Sequence, residues 1–351
     1  MRRTSEAQPS DNVEPGTAAS GGGPVIQVEH LSVAFGSGPR AVRAVDDVSF
    51  SIGQGEIVGL VGESGSGKST LGLALLRIVP APGVSTGRVV FDGRELGTLS
   101  ERQMRALRGN ELALIVQDAL ATMNPVTRIE EQIVEIVRDH AGDTPFDVAN
   151  LRTRALRALR SVHLPNAELN LRRYPHQLSG GMQQRVAIAQ GLILEPKLII
   201  ADEPTTALDV TVQAQILALL QEVRDTRGTS IVFVTHDLAT VAEICDRVMV
   251  MYAGRIVEAG TVREVFQQPK HPYTRALLSG LLPLVGEPPE ELDALPGQPP
   301  RPEDWPSGCR FHPRCPLYER LGKPDVCAQT DPGVDESLPH WGACHFAIQE
   351  V

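Results

Sequence analysis

The sequence predicts an α/β fold built on a mainly parallel sheet, and three stretches predict it. Ile57–Val61, Lys197–Ala201 and Ile231–Val234 are short, nearly continuous apolar runs with β-branched residues, the pattern of strands covered on both faces. Each is followed by a loop and then by a stretch of helical period, the order in which parallel strands are joined through helices. The 351 residues allow about two domains.

Composition narrows the function. Lys and Arg total 33 against 43 Asp and Glu, a net charge of −10 with no basic cluster, so nucleic acid is a poor partner. No apolar run is long enough to cross a bilayer, and no hydrophobic segment follows Arg2-Arg3. Neither a membrane span nor a signal peptide is expected, and the chain is expected in the cytoplasm. Four of the five cysteines lie after residue 308, where a cytoplasmic setting favours thiols or metal ligands over disulfides.

In chain order, residues 1–24 are rich in Ser, Gly, Pro and Ala without an apolar period and read as a disordered tail. Val25–Phe35 and Ala41–Ile52 read as two strands joined by the Gly36–Arg40 turn, an antiparallel edge beside the Ile57–Val61 strand. Phe35 is placed either to stack on adenine or to serve as an ordinary core aromatic. After Val61 comes Gly62-Glu63-Ser64-Gly65-Ser66-Gly67-Lys68-Ser69, which fits G-x-x-x-x-G-K-[ST] at every fixed position. Its glycines let backbone N–H groups turn toward an anion, and the following helix adds its N-terminal dipole. The expected nucleotide contacts are therefore Gly62, Ser64, Gly65, Ser66, Gly67, Lys68, Ser69 and Thr70, with Lys68 on the β/γ-phosphates and the Ser69 hydroxyl on Mg²⁺. Pro80 stops the helix, and Gly87–Phe91 is a further strand ending in an Asp92-Gly93 turn.

From about Ser100 to Leu194 helical periodicity takes over, with Ile129–His140 and Val148–Val162 as amphipathic helices. This reads as a helical subdomain inserted within the sheet. Leu112–Val116 is a short strand delivering Gln117-Asp118, an amide and a carboxylate placed to meet a metal or a water beside the phosphates. Ser179-Gly180-Gly181 opens a helix with a second cluster of free N–H groups, a pattern that an ordinary capped helix start shares. Lys197–Ala201 places Asp202 and Glu203 at its C-terminal end, where ligands of open α/β sheets bind. Asp202 suits Mg²⁺ held through water, and Glu203 suits the orientation or deprotonation of an attacking water. Ala207-Leu208-Asp209 precedes a helix with Val212, Ile216, Leu219, Leu220 and Val223 on one face, closed by Gly228. Ile231–Val234 delivers His236, placed to donate to a γ-phosphate oxygen or to serve the structure.

Gly62–Ser69, Gln117, Leu178–Gln183, Ile199–Glu203, Ala207–Asp209 and His236 occur in the order and spacing of ABC-transporter ATPases, and the chain resembles that family over residues 25–265. The resemblance implies an ABC cassette: a RecA-like parallel sheet core, an antiparallel β edge and a helical subdomain at residues 100–194. It also implies ATP with Mg²⁺, catalysis by Glu203, His236 and Gln117, and a metal held by Ser69, Gln117 and Asp202. A second ABC ATPase subunit, identical or different, is implied as well. Ser179, Gly180, Gly181, Gln183 and Asp209 then help to complete ATP sites across the dimer.

GESGSGKS, Gln117-Asp118 followed by Met123-Asn124-Pro125, LSGGMQQR and His271–Leu278 are similar to the ATP-binding subunits of oligopeptide and dipeptide importers. Ala119 and Met123 depart from the Pro and Leu of many relatives. The similarity implies an ATPase on the cytoplasmic face of the membrane that energises import through separate transmembrane permease subunits, with an extracytoplasmic binding protein selecting the solute. Nickel importers share these features. A soluble ABC ATPase is the other class, whose members typically show fused cassettes or a long coiled-coil insertion.

Pro283–Pro306 is a Pro- and Glu-rich connector ahead of Cys309, Cys315, Cys327 and Cys344, whose gaps hold 5, 11 and 16 residues. That spacing names no metal, because zinc sites pair their ligands more closely and the ferredoxin runs differ. Free buried thiols are the alternative. The resemblance implies a four-cysteine [4Fe–4S] cluster, ahead of zinc, in a C-terminal extension spanning residues 266–351. The extension carries no ATP motif, so a structural or docking role is expected ahead of redox sensing. Cys245 reads as a core thiol in the helix after His236.

Overall fold

The computed structural model describes residues 23–38, 41–140, 148–206, 208–280 and 295–346. The expected tail, apart from Gly23 and Pro24, lies outside them, as do residues 283–294 of the connector.

β1 (Ile26–Phe35) and β2 (Val42–Ile52) pair antiparallel, and β3 (Ile57–Val61) leads into the phosphate loop and α1 (Lys68–Leu75). β4 (Gly83–Phe91) returns beside β1 and turns into β5 (Arg94–Glu95) through Asp92 and Gly93, at φ 47° and 74°. Positive φ at both positions is the primed turn that matches the twist of a hairpin. These four strands form a sheet of their own in the order β2-β1-β4-β5, not an edge hydrogen-bonded to β3. The reason lies in burial: β1 alternates buried and more exposed residues, so it presents one apolar face and stacks, whereas β3 is buried throughout.

The helical stretch comprises α2 (Glu101–Leu107), α3 (Ala119–Thr122), α4 (Ile129–His140), α5 (Val148–Ser161), α6 (Ala167–Asn170) and α7 (Gly180–Leu192), with β6 (Leu112–Ile115) between α2 and α3. β7 (Leu198–Asp202), α8 (Val210–Arg227), β8 (Ser230–Thr235), α9 (Leu238–Ile244), β9 (Arg247–Tyr252) and β10 (Arg255–Thr261) follow. The chain continues through α10 (Val262–Gln267), α11 (Pro272–Ser279), α12 (Pro316–Arg320), α13 (Asp325–Gln329) and β11 (Trp341–Gly342). The main sheet has the order β11-β10-β9-β3-β8-β7-β6. β9, β3, β8, β7 and β6 are parallel, and its antiparallel edge is made by β10 and β11. Sequence reading missed the β9–β10 hairpin, although the Ala253-Gly254 turn between two apolar runs is a hairpin signal.

Side chains of the parallel strands alternate between two cores, as a period of two requires. Ile57, Val61, Ile199, Ala201, Ile231 and Phe233 join the core shared with α4, α5, α7 and α8. Val58, Leu60, Leu198, Ile200, Val232 and Val234 join the core shared with α1 and the antiparallel sheet. Each of these side chains except Ala201 contributes about 1.5–3 kcal/mol when fully buried. The main sheet is therefore rigid between two packed layers, and its strand ends deliver the loops of the site.

The C-terminal segment is welded to this core. Phe311 packs against Tyr252 at a ring separation of 5.3 Å and against Tyr273 at 5.4 Å. Glu258 of β10 is fully buried and accepts from the N–H groups of Lys270 (2.7 Å) and His271 (2.8 Å), and its Oε1 lies 2.8 Å from His340 Nε2. The carboxylate thus ties the start of α11 and the β11 strand to one point.

Candidate nucleotide site

The phosphate loop leaves β3 through Gly62, whose φ of 155° and surroundings exclude any side chain: a Cβ there would lie 2.1 Å from Met251 O. Gly67, at φ 106°, caps α1 without a side chain, and a Cβ would meet Ala44 O at 2.4 Å. Lys68 is buried and curls back, donating from Nζ to Gly62 O (2.7 Å) and Glu63 O (3.0 Å). Burial lowers its pKa, while the carboxylates of Glu203, Asp202 and Glu63 act in the opposite sense. Ser66 Oγ is buried without a hydrogen-bond partner among the described residues. A buried orphan hydroxyl, an ammonium resting on carbonyls and an open helix N-terminus suit a phosphate chain. Ser64 is exposed, and Thr70 is half-buried on α1.

Asp202 ends β7, and its Oδ1 accepts from Ser69 Oγ at 3.1 Å. Burial raises its pKa against the lowering bond from Ser69. Glu203 sits in the left-handed region at φ 46°, unusual for a residue with a side chain and a form of strain found at functional sites. Its Oε2 accepts from Gln117 Nε2 (3.1 Å) and Thr206 Oγ1 (2.8 Å), and its Oε1 lies 3.3 Å from His236 Nδ1. Burial would raise the Glu203 pKa, but the bonds from Thr206 and His236 bring it below the ordinary carboxylate value. The structure thus gathers Gln117, Glu203 and His236 from the ends of three strands. Thr206 went unnoticed in the sequence, where its spacing of three from Glu203 was the available signal.

The second N–H-rich turn lies where α7 begins. Ser179 caps the helix, its Oγ accepting from Met182 N–H at 3.4 Å. Gln183 Nε2 donates to Pro175 O (3.1 Å) and Leu178 O (3.2 Å), bracing the turn from behind. Gly180 faces open space, whereas a Cβ on Gly181 would lie 2.7 Å from Val212 Cγ1 of α8. Asp209 caps α8, accepting from Val212 N–H at 3.0 Å; Ala207 before it lies outside the described residues. Phe35 is half-buried against the antiparallel-sheet core, with its ring against Gly83.

Residues 45–206 match the family described as ABC transporter, and residues 257–320 match the one described as Oligopeptide/dipeptide transporter, C-terminal region. The dipeptide transport ATP-binding protein DppD of Haemophilus influenzae is 44% identical over 331 residues, covering 93% of this chain and 96% of that protein. The chain belongs to the ABC transporter family. It is one of the family's ATPases, acting on ATP with Mg²⁺. The oligopeptide transport ATP-binding protein OppD of Salmonella typhimurium is 46% identical over 327 residues, 93% of this ABC ATPase and 95% of its own length. Among solved structures, the dimeric post-hydrolysis ATP-binding cassette MJ0796 bound to ADP and Pi matches 68% of this chain and 99% of its own, at a TM-score of 0.61 and 27% identity.

In the C-terminal segment of this ABC ATPase, Cys309, Cys315, Cys327 and Cys344 line one cavity of about 20 Å³, walled by Phe311, Leu317 and Tyr318. Burial pushes the Cys309 thiol up to about 11 and Cys344 to about 12, and raises Cys315 and Cys327 as well. Among the described residues no group of three or more His, Cys, Asp or Glu is arranged to hold a single metal ion. Cys245 lies just past the end of α9 rather than within it, half-buried against the helical core, and burial pushes its thiol far up.

Proposed function

We propose that this ABC ATPase energises import of di- or oligopeptides through separate transmembrane subunits. The carrying observation is the similarity to dipeptide and oligopeptide transport ATP-binding proteins, 44% and 46% identical over 93% of the chain, together with the matched C-terminal region. No helix among the described residues is long and apolar enough to cross a membrane, which supports peripheral attachment at the cytoplasmic face to permease subunits. The dimeric state of the similar cassette supports pairing with a second ATPase subunit. An extracytoplasmic binding protein then selects the solute.

In this reading the phosphate loop and Lys68 hold the β- and γ-phosphates. Ser69, Asp202 and Gln117 would hold Mg²⁺, which when bound would neutralise charge developing on the phosphate oxygens. Glu203, fixed from two sides by Gln117, Thr206 and His236, orients and deprotonates the attacking water. Ser179, Gly180 and Gly181 of the partner cassette close the site over the γ-phosphate, with Gln183 bracing that turn and Asp209, at the cap of α8, adding to the nucleotide contacts.

The donor chemistry behind the iron–sulfur reading is the four thiols of Cys309, Cys315, Cys327 and Cys344 on one mostly apolar cavity, which His271, His312 and His345 also line. Zinc is the alternative occupant and needs its sulfurs at about 2.3 Å from one point; among the described residues no group of three or more His, Cys, Asp or Glu is arranged to hold a metal ion. Thiols whose pKa burial has raised become ligands only when a metal supplies the compensating charge.

Co-purification with hydrophobic permease subunits, followed by reconstitution with a binding protein, tests the function. Peptide-loaded binding protein is expected to stimulate ATP hydrolysis. Stimulation by a nickel-loaded protein alone would move the assignment to a nickel importer, and full activity with no membrane partner would move it to a soluble ATPase.

A further inference from the structure

Although the C-terminal segment contains no ATP motif, it touches the phosphate loop. Arg314 is buried and forms a two-pronged pair with Glu63, the residue after Gly62, through Nη1 to Oε2 (2.7 Å) and Nη2 to Oε1 (3.1 Å). Its Nε donates to Pro296 O at 2.8 Å, so the guanidinium is fixed on both sides. The Glu63 N–H donates to Tyr273 Oη at 2.9 Å, and Glu63 O accepts from Lys68 Nζ at 3.0 Å. Glu63 is therefore held through its carboxylate, its N–H and its carbonyl. A second strut is parallel to the first: Arg310 donates to Ala253 O, and the next residue, Gly254, donates its N–H to Ser66 O at 2.9 Å. Arg310 follows Cys309 and Arg314 precedes Cys315, so both struts start beside a thiol of the cysteine cavity.

We propose that Arg314 and Tyr273 are positioning residues for the phosphate loop, through which the integrity of the four-cysteine cavity sets nucleotide affinity. The proposal rests on the loop being the nucleotide site and on the packed cavity wall that carries Arg310 and Arg314 beside Cys309 and Cys315. A fork-shaped guanidinium matched to a carboxylate fixes direction as well as distance, which a lysine cannot reproduce. Loosening Glu63 releases the loop on which Lys68 rests.

The test measures binding of a fluorescent ATP analogue to the full chain. Arg314→Gln is expected to weaken affinity about fivefold or more, Arg314→Lys to recover part of it, and Tyr273→Phe to weaken it as well. Arg314→Gln with Glu63→Gln is expected to lose no more than the worse single variant. Cys315→Ser is expected to match the Arg314→Gln loss and to add little to it. Near-native affinity in Arg314→Gln and Tyr273→Phe would overturn the proposal, as would losses from Cys315→Ser and Arg314→Gln that multiply. If Arg314→Gln does not fold, Arg314→Lys and Tyr273→Phe carry the same decision. Lys68→Ala is the control, since retained affinity there would overturn the reading of the site itself.

Discussion

Glu203 and His236 face each other at 3.3 Å between Oε1 and Nδ1, while the other oxygen of Glu203 accepts from Gln117 and Thr206. An ionised carboxylate can only accept, so this geometry has Nδ1–H donating and leaves Nε2 as an acceptor. For His236 to donate to a γ-phosphate, the ring must release Glu203 or take a second proton.

Glu203→Gln is expected to keep ATP binding and to lower turnover by about a hundredfold or more, because the phosphate contacts survive while the water loses its base. Steady-state hydrolysis beside nucleotide titration checks it. Near-native turnover with an inactive partner cassette would remove Glu203 from the chemistry.

Lys68→Ala is expected to lose nucleotide affinity itself, since it removes the ammonium resting on the loop carbonyls of Gly62 and Glu63. Equilibrium dialysis against labelled ATP checks it, and unchanged affinity would count against the site.

Much of the site was legible because its motifs are local. Gly62–Ser69 and the pair Asp202-Glu203 each carry their chemistry within a few residues, and the apolar runs before them mark their strands. What stayed hidden joins distant positions. Arg314 and Glu63 are 251 positions apart, and nothing in either neighbourhood announces the other. The antiparallel strands were legible as strands but not in their layer, because alternation reveals an apolar face without saying what covers it.

His271 is fully buried as the cap of α11, with Nδ1 accepting from Tyr273 N–H at 3.1 Å, and burial lowers its pKa to about 3. The folded pKa lies below the unfolded one, so the unfolded chain binds the extra proton first as pH falls. The stability from neutral His271 is complete above pH 6.5 and is lost toward pH 3, at a limiting slope of about 1.4 kcal/mol per pH unit. His271→Asn keeps a capping side chain and is expected to flatten that slope in denaturant titrations between those values. An unaltered slope would show that other groups carry the acid sensitivity.

Anaerobically purified protein is expected to be brown, to absorb broadly near about 400 nm and to contain about four irons per chain. Cys315→Ser is expected to remove the colour. Colourless protein with one zinc would replace the cluster, and metal-free protein with four titratable thiols in an ordered segment would eliminate the site.

β11 pairs with β10 at only Glu258 and Ala259, and Ala343 N–H adds a bond to Val257 O at 2.7 Å. Short as it is, this strip occupies backbone groups that, without β11, would form the open rim of the remaining six strands. Trimming the chain after α10 would bare unpaired backbone from Ile256 to Ala259 together with the Glu258 carboxylate, which would lose Lys270, His271 and His340. Such rims recruit strands from neighbouring molecules. A cassette cut to its ATP motifs would therefore tend to aggregate, and loss of solubility in shortened forms of this chain would reflect an uncovered sheet edge rather than a damaged catalytic centre.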